Sequence, residues 1–129
     1  MLKRIILVAT LALASIMTMA GPVAAKDADL IGRGRCTGAS HWKLKLSPED
    51  GRIEVEFEVD QNRNNQLWRV KIAQDGSIVW RGSRYTRAPS GSFEVRRVLR
   101  NTAGSDRIAA RATNVRTGEV CRGVANFPG

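Results

Sequence analysis

Catalytic combinations of histidine, cysteine and acidic residues are missing from this chain. His41 is the only histidine, so a Ser-His-Asp triad would have to be built around it, and a histidine-rich metal site is excluded. The chain has no nucleophile elbow, no zinc-binding helix motif and no glycine-rich phosphate loop. Glu54, Glu56 and Glu58 recur at every second residue and would share one strand face instead of facing each other across a sugar. We therefore expect no enzymatic activity and no bound cofactor or metal.

One loop has part of a calcium-binding pattern. Asp60, Asn62 and Asn64 have the alternate spacing that opens a calcium loop. Asn65, however, stands where the pattern requires glycine, and Lys71 stands where it requires a bidentate glutamate. The segment is better interpreted as a turn whose side chains satisfy loop backbone groups.

Positive charge is the dominant chemical property of the chain. Of its 21 lysines and arginines, 16 are arginine, and the formal net charge is +9. This excess favours anionic partners such as envelope polymers, acidic glycans, lipid headgroups or nucleic acid, although it also serves solubility alone. We expect no sequence-specific recognition of nucleic acid.

Strands must position these charges, because apolar residues recur at every second position through most of the chain. Segments rich in Gly, Pro, Asn and Asp separate the alternating runs. Seven strands are predicted, containing residues 42–46, 53–59, 68–72, 78–80, 93–95, 108–112 and 121–127. Their number and spacing predict an all-β fold, a single seven-stranded antiparallel β-sandwich like that of immunoglobulin or fibronectin type III domains.

The hairpin after the third strand has two candidate registers. A two-residue turn at Asp75-Gly76 would place Arg81 on the core face, so a three-residue loop over residues 74–76 is preferred. That loop would pair Ile72 with Ile78, Val70 with Trp80 and Trp68 with Gly82. Arg69 would then stand opposite Arg81 on the solvent side. All three tryptophans fall on inward positions, which argues against a sugar-binding platform.

The two outer faces of the sandwich are expected to differ in charge. The three glutamates of the second strand would lie between Lys43 and Lys45 on one side and Arg96, beside a predicted bulge at Arg96-Arg97, on the other. This face should neutralise itself. The outward positions of the other sheet carry cations without alternating acids: Arg69, Lys71, Arg81, Arg107, Arg111 and Arg122. We predict that these six residues bind a polyanion; the alternative is a solvated basic face.

The only two cysteines, Cys36 and Cys121, are predicted to form a disulfide. It would tie the first strand region to the last, unlike the immunoglobulin bridge between the second and sixth strands. On the chain-entropy model, a loop of this length stabilises the fold by about 4 to 5 kcal/mol.

The N-terminal segment has the features of a secretory signal peptide. Lys3 and Arg4 precede an apolar run, and small residues lead to cleavage after Ala25 or, alternatively, Ala20. We expect residues 1–25 to be removed, residues 26–35 to form a flexible lead-in and residues 36–129 to form the sandwich. The mature protein would be secreted, with no transmembrane segment, and monomeric.

Three segments carry a resemblance to a known group of proteins: residues 35–46 (RCTGASHWKLKL), 51–60 (GRIEVEFEVD) and 88–93 (APSGSF). Together they are similar to small secreted actinobacterial proteins with an immunoglobulin-like β-sandwich. The resemblance implies a secreted sandwich and transfers no catalytic or binding residue to this chain.

These observations favour a secreted, non-enzymatic binding domain whose basic sheet face contacts an anionic envelope or extracellular polymer. The alternative is a module that docks an exported protein partner through its strand edges or loops. A protease inhibitor would need an exposed rigid loop, for which residues 86–92 are the candidate segment.

Overall fold

The computed structural model describes residues 29–129, so the predicted signal peptide lies outside the described residues. Eight strands form in this range: β1 (Leu30–Arg35), β2 (His41–Glu49), β3 (Arg52–Asp60), β4 (Leu67–Gln74), β5 (Ser77–Tyr85), β6 (Ser92–Arg100), β7 (Asp106–Asn114) and β8 (Val120–Phe127). No helix is present among residues 29–129, and hence none that could cross a membrane. The all-β prediction is confirmed.

The strands form two four-stranded antiparallel sheets that pack as a β-sandwich. The first sheet has the order β1-β2-β3-β6, and the second sheet has the order β5-β4-β7-β8. The chain passes from one sheet to the other after β3, β5 and β6. Because side chains alternate across each strand, every second residue enters the space between the sheets.

The core fills the space between the two sheets. Trp68 of β4 and Phe57 of β3 are the largest of its fully buried side chains. The indole N–H of Trp68 donates to Oε1 of Gln61 at 2.9 Å, which satisfies the one polar atom of this side chain. Smaller aliphatic residues complete the core, among them Leu44, Leu46, Ile53, Val55, Val59, Ile72, Val95 and Ile108.

The eight strands exceed the seven predicted, and the additional one is β1. The sequence interpretation placed this segment in a flexible lead-in because residues 26–35 are polar and glycine-rich. Both glycines lie on inward positions, and a Cβ on Gly34 would lie 2.7 Å from the indole of Trp42. The large side chain that fills this part of the interior therefore comes from β2, and the glycines of β1 make room for it.

The turn of the β4–β5 hairpin has two residues, not the three predicted. Asp75 and Gly76 both have positive φ, 49° and 84°, as a tight hairpin turn requires. Gln74 pairs directly with Ser77 across the turn. The predicted three-residue loop is wrong.

Strand β5 has one residue more than the part of β4 with which it pairs, and this residue forms a β-bulge. Ala73 pairs with Ile78, but Ile72 pairs with Trp80, so that Val79 has no partner on β4. Trp80 thus keeps its inward position even though the turn is short. The predicted opposition of Arg69 and Arg81 is also wrong, since the bulge places Arg69 opposite Ser83 and Lys71 opposite Arg81.

Strand β6 carries no bulge at its adjacent arginines. Arg96 pairs with Glu56 and Arg97 pairs with Val55 in an unbroken register with β3. Arg97 therefore occupies an inward position at the margin of the sandwich. Its guanidinium lies 5.6 Å from the ring centre of Trp80, on the edge strand of the second sheet.

The predicted disulfide between Cys36 and Cys121 is present and joins residues 85 positions apart. It links the segment that follows β1 to strand β8. Strand β8 also lies close to Trp42, since a Cβ on Gly123 would lie 2.7 Å from the Trp42 ring. Cys121 is fully buried. The bridge is consistent with an extracellular protein.

Two hydrogen-bonded polar clusters, each including a buried side chain, fix the loops in place. Ser40 donates to the Glu119 carboxylate from its N–H at 2.9 Å and from its hydroxyl at 2.7 Å. Buried Asp106 accepts hydrogen bonds from Thr102 and from the side-chain amide of Gln74, which lower the pKa of this carboxyl, the Thr102 hydroxyl contributing most. The carboxylates of Glu119 and Asp106 therefore accept hydrogen bonds within the fold and stabilise its loops.

Candidate anion-binding face

Four cationic residues lie directly opposite one another across all four strands of the second sheet. Arg81 pairs with Lys71, Lys71 pairs with Arg111, and Arg111 pairs with Arg122. All four side chains are exposed. We call this set the cationic row. Because neighbouring strands lie about 4.8 Å apart, the row extends about 15 Å across the sheet.

The alternation of side chains along each strand places the cationic row on the outer face of the second sheet. On β4, Lys71 lies between Val70 and Ile72, which are both buried in the core. On β7, Arg111 lies between the buried Ala110 and Ala112. Since successive side chains of a strand point to opposite faces, the cations are held on the outer face by the burial of their neighbours.

No acidic residue among residues 29–129 forms an ion pair with the cationic row. Among residues 29–129 the ion pairs within 4.0 Å are Lys45 with Asp29, Lys45 with Glu56, and Arg96 with Glu54, all in or beside the first sheet. Like charges directly opposite each other on neighbouring strands destabilise a sheet by tenths of a kcal/mol to about 1 kcal/mol a pair. The row contains three such pairs.

A groove of about 640 Å³ runs along part of the cationic row. Arg69 lies beside the row, between Ser83 on β5 and Thr113 on β7. The groove is therefore lined by long cationic side chains and by two short hydroxyl side chains. Guanidinium groups and hydroxyls are the donors that bind carboxylates, phosphates and sulfates.

Five of the six predicted anion-binding residues come together, and the sixth lies apart. Arg107 is on the same outer face but near the β4–β5 turn, opposite Asn126 of β8. Its backbone N–H donates to the Asp75 carboxylate at 2.8 Å, so this end of the face carries a negative charge as well. The compact part of the site consists of Arg69 and the cationic row.

The outer face of the first sheet differs in that acids lie among its cations, as predicted. Strand β3 lies between β2 and β6, with Lys43 opposite Glu58 and Lys45 opposite Glu56. Arg96 donates to Glu54 at 2.5 Å. This hydrogen bond is the main reason that the pKa of Glu54 falls to about 2, whereas the adjacent Glu54 carboxyl and burial raise the pKa of Glu56.

The other sequence candidates have structural roles. Asp60 accepts a hydrogen bond from the N–H of Asn62 at 3.0 Å, which is the turn favoured over a calcium loop. Trp68 is fully buried and Trp42 is half-buried against glycines. Gly82 does not face Trp68 as predicted; it lies opposite Val70, and its missing side chain leaves space for the ring of Trp80.

One aromatic contact was not foreseen from the sequence. The guanidinium groups of Arg84 and Arg97 lie 5.2 and 5.6 Å from the ring centre of half-buried Trp80. Arg97 comes from the first sheet, so its contact depends on the packing of β6 beside β5, and no local sequence pattern encodes it. These two cations stabilise the margin between the sheets.

A comparison of the chain with protein-family models, with curated proteins and with solved structures finds no match in any of the three.

Proposed function

We propose that this protein is a secreted, non-enzymatic binding domain whose cationic row and Arg69 contact an anionic component of the cell envelope or an extracellular polymer. One observation carries the proposal: four exposed cations lie directly opposite each other with no acid among them. A bound anion would offset their mutual repulsion. The hydroxyls of Ser83 and Thr113 supply further donors in the same groove.

The proposal also includes the location of the protein and the class of its fold. The disulfide and the signal-like N-terminal segment favour an oxidising compartment outside the cytoplasm. With β1 set aside, strands β2-β3-β6 face strands β5-β4-β7-β8, which is the arrangement expected of a fibronectin type III-like domain. We propose that the chain belongs to that class of sandwich and acts as a monomer.

The test is retention of the exported, processed protein on immobilised heparin, eluted by a salt gradient. Replacing Lys71→Gln together with Arg111→Gln removes two central members of the cationic row. Both side chains are exposed, so the fold should be retained. We expect affinity to fall at least about tenfold, and elution to occur at clearly lower salt, because each cation contributes on the order of 1 kcal/mol.

The matched control is Arg52→Gln together with Arg100→Gln. These two residues are also exposed cations that lie directly opposite each other, but on β3 and β6 of the first sheet. The control loses the same net charge, so it should elute close to the wild type if the cationic row is the site. Equal losses in both double variants would mean that only net charge matters, and the proposal would be wrong.

A further inference from the structure

A second row of residues lies beside the cationic row and is entirely apolar. Ile78 pairs with Ala73, Ala73 pairs with Ala109, and Ala109 pairs with Val124. We call this set the apolar row. It crosses all four strands of the second sheet, about 7 Å along the strands from the cationic row. Ile78 is 42% exposed, and the other three side chains are half-buried.

Exposed apolar side chains are concentrated around this face. Beside Ile78, the unpaired bulge residue Val79 is 43% exposed. Beyond the opposite side of the cationic row, Tyr85 and Val115 are 54% and 48% exposed. Leu67 of β4 lies between them, since it pairs with Tyr85 and its carbonyl accepts the N–H of Val115 at 3.0 Å. Apolar surface therefore flanks the cations on both sides.

This combination of charge and apolar surface narrows the class of ligand. A hydrophilic polymer would use the cations and leave the apolar row in water. An anionic bilayer presents phosphate charges at its surface and an apolar region just beneath, so it would use both rows. A second copy of the chain is disfavoured because face-to-face packing would bring two cationic rows together.

We propose that the outer face of the second sheet docks on the surface of an anionic lipid bilayer. The cationic row lies at the level of the phosphates, and Ile78 and Val79 enter the interface beside it. Arg107, on the far side of the apolar row, adds a further cation, and its backbone N–H donates to the Asp75 carboxylate of the adjoining turn. This inference rests on the proposed function and specifies its anionic partner.

The experiment is co-sedimentation of the exported, processed protein with vesicles of phosphatidylcholine and phosphatidylglycerol, and with vesicles of phosphatidylcholine alone. We expect binding to the mixed vesicles only. Replacing Ile78→Ser with Val79→Ser should lower this binding about tenfold, because two exposed aliphatic side chains lose their transfer into the interface. The same variant should keep wild-type retention on heparin, since no cation is changed.

The matched control is Ile31→Ser with Val98→Ser. These side chains are 52% and 36% exposed but lie on the first sheet. This control should bind the mixed vesicles as the wild type does, which would support docking through the second sheet. Equal losses in both variants would overturn the inference.

Other outcomes separate this inference from the proposed function. Retention on heparin without vesicle binding would overturn the bilayer inference and leave a hydrophilic polyanion as the ligand. If the wild-type protein neither bound the mixed vesicles nor was retained on heparin, both proposals would be wrong. A change in molecular mass on gel filtration caused by Ile78→Ser with Val79→Ser, with vesicle binding unchanged, would show that a second copy occupies the face and would also overturn the inference.

Discussion

The two outer faces of this sandwich share one architecture and differ in how their charges are paired. Each face belongs to a four-stranded antiparallel sheet with its other side in the same core. On the first sheet, Lys43 and Lys45 lie opposite Glu58 and Glu56. On the second sheet, Lys71 lies opposite Arg81 on one side and Arg111 on the other. The first sheet also contains like-charge pairs, such as Arg33 with Lys43 and Glu58 with Glu94, but each of its outward rows that contains a cation also contains an acid. A row of cations alone is therefore not a requirement of this framework.

The largest effect is expected from a substitution that breaks an ion pair on the first sheet. Replacing Arg96→Met removes the hydrogen bond that chiefly lowers the pKa of Glu54 to about 2. We expect the pKa of Glu54 to rise by more than one unit toward its ordinary value of 4.5, as followed by carboxyl carbon NMR. Arg96→Lys, which keeps the charge but changes the hydrogen-bond geometry, should give an intermediate pKa.

The same substitution changes how stability depends on pH. Because the folded-state pKa of Glu54 lies below its unfolded value, Glu54 contributes stability above pH 4.5 that is lost as the pH falls through about 2. Glu56, whose pKa is raised, contributes with the opposite sign. The Arg96→Met variant should therefore lose less stability than the wild type as the pH falls from 4.5 to 2. An unchanged Glu54 pKa would contradict this description of the first face.

A smaller effect is expected when one lysine on each face is replaced by glutamate. Lys71→Glu replaces two like-charge pairs, with Arg81 and Arg111, by two opposite-charge pairs. We expect the free energy of unfolding to rise by about 1 kcal/mol at low ionic strength, measured by urea denaturation. Lys45→Glu, which breaks the ion pairs with Asp29 and Glu56, should lower it by a similar amount.

Salt provides the internal control for this pair of variants. At 1 M salt the Debye length is about 3 Å, so both effects should nearly disappear. Two changes of the same sign at low salt would mean that the faces do not differ in charge pairing. Effects that persist at high salt would point to packing or strand propensity instead.

The sequence was sufficient to predict most strands and the disulfide, because both depend on local or unambiguous signals. Alternation of apolar residues marks β2 to β8 directly. The two cysteines of the chain allow a single pairing. Strand β1 escaped prediction because its inward residues Gly32 and Gly34 are small, and the side chain that makes them necessary, Trp42, belongs to another strand.

The arrangement of the candidate site depended on register, which the sequence did not determine. All six cations were assigned correctly to outward positions of the second sheet by their alternation with apolar residues. Which of them face each other depends on the bulge at Val79, for which the segment Ser77 to Trp80 contains no glycine or other recognisable signal. A bulge shifts pairing by one residue, and this shift joins Arg81 to Lys71 and so completes the row.

The measurement that tests the proposed anion-binding face most directly is an NMR titration of the exported, processed protein with a short heparin oligosaccharide. Backbone and side-chain signals of Arg81, Lys71, Arg111 and Arg122 should shift together and saturate, and added salt should reverse the shifts. Signals of Lys43, Lys45 and Arg96 on the first sheet should remain in place. Shifts spread equally over both faces, or confined to the first sheet, would contradict a binding site on the cationic row.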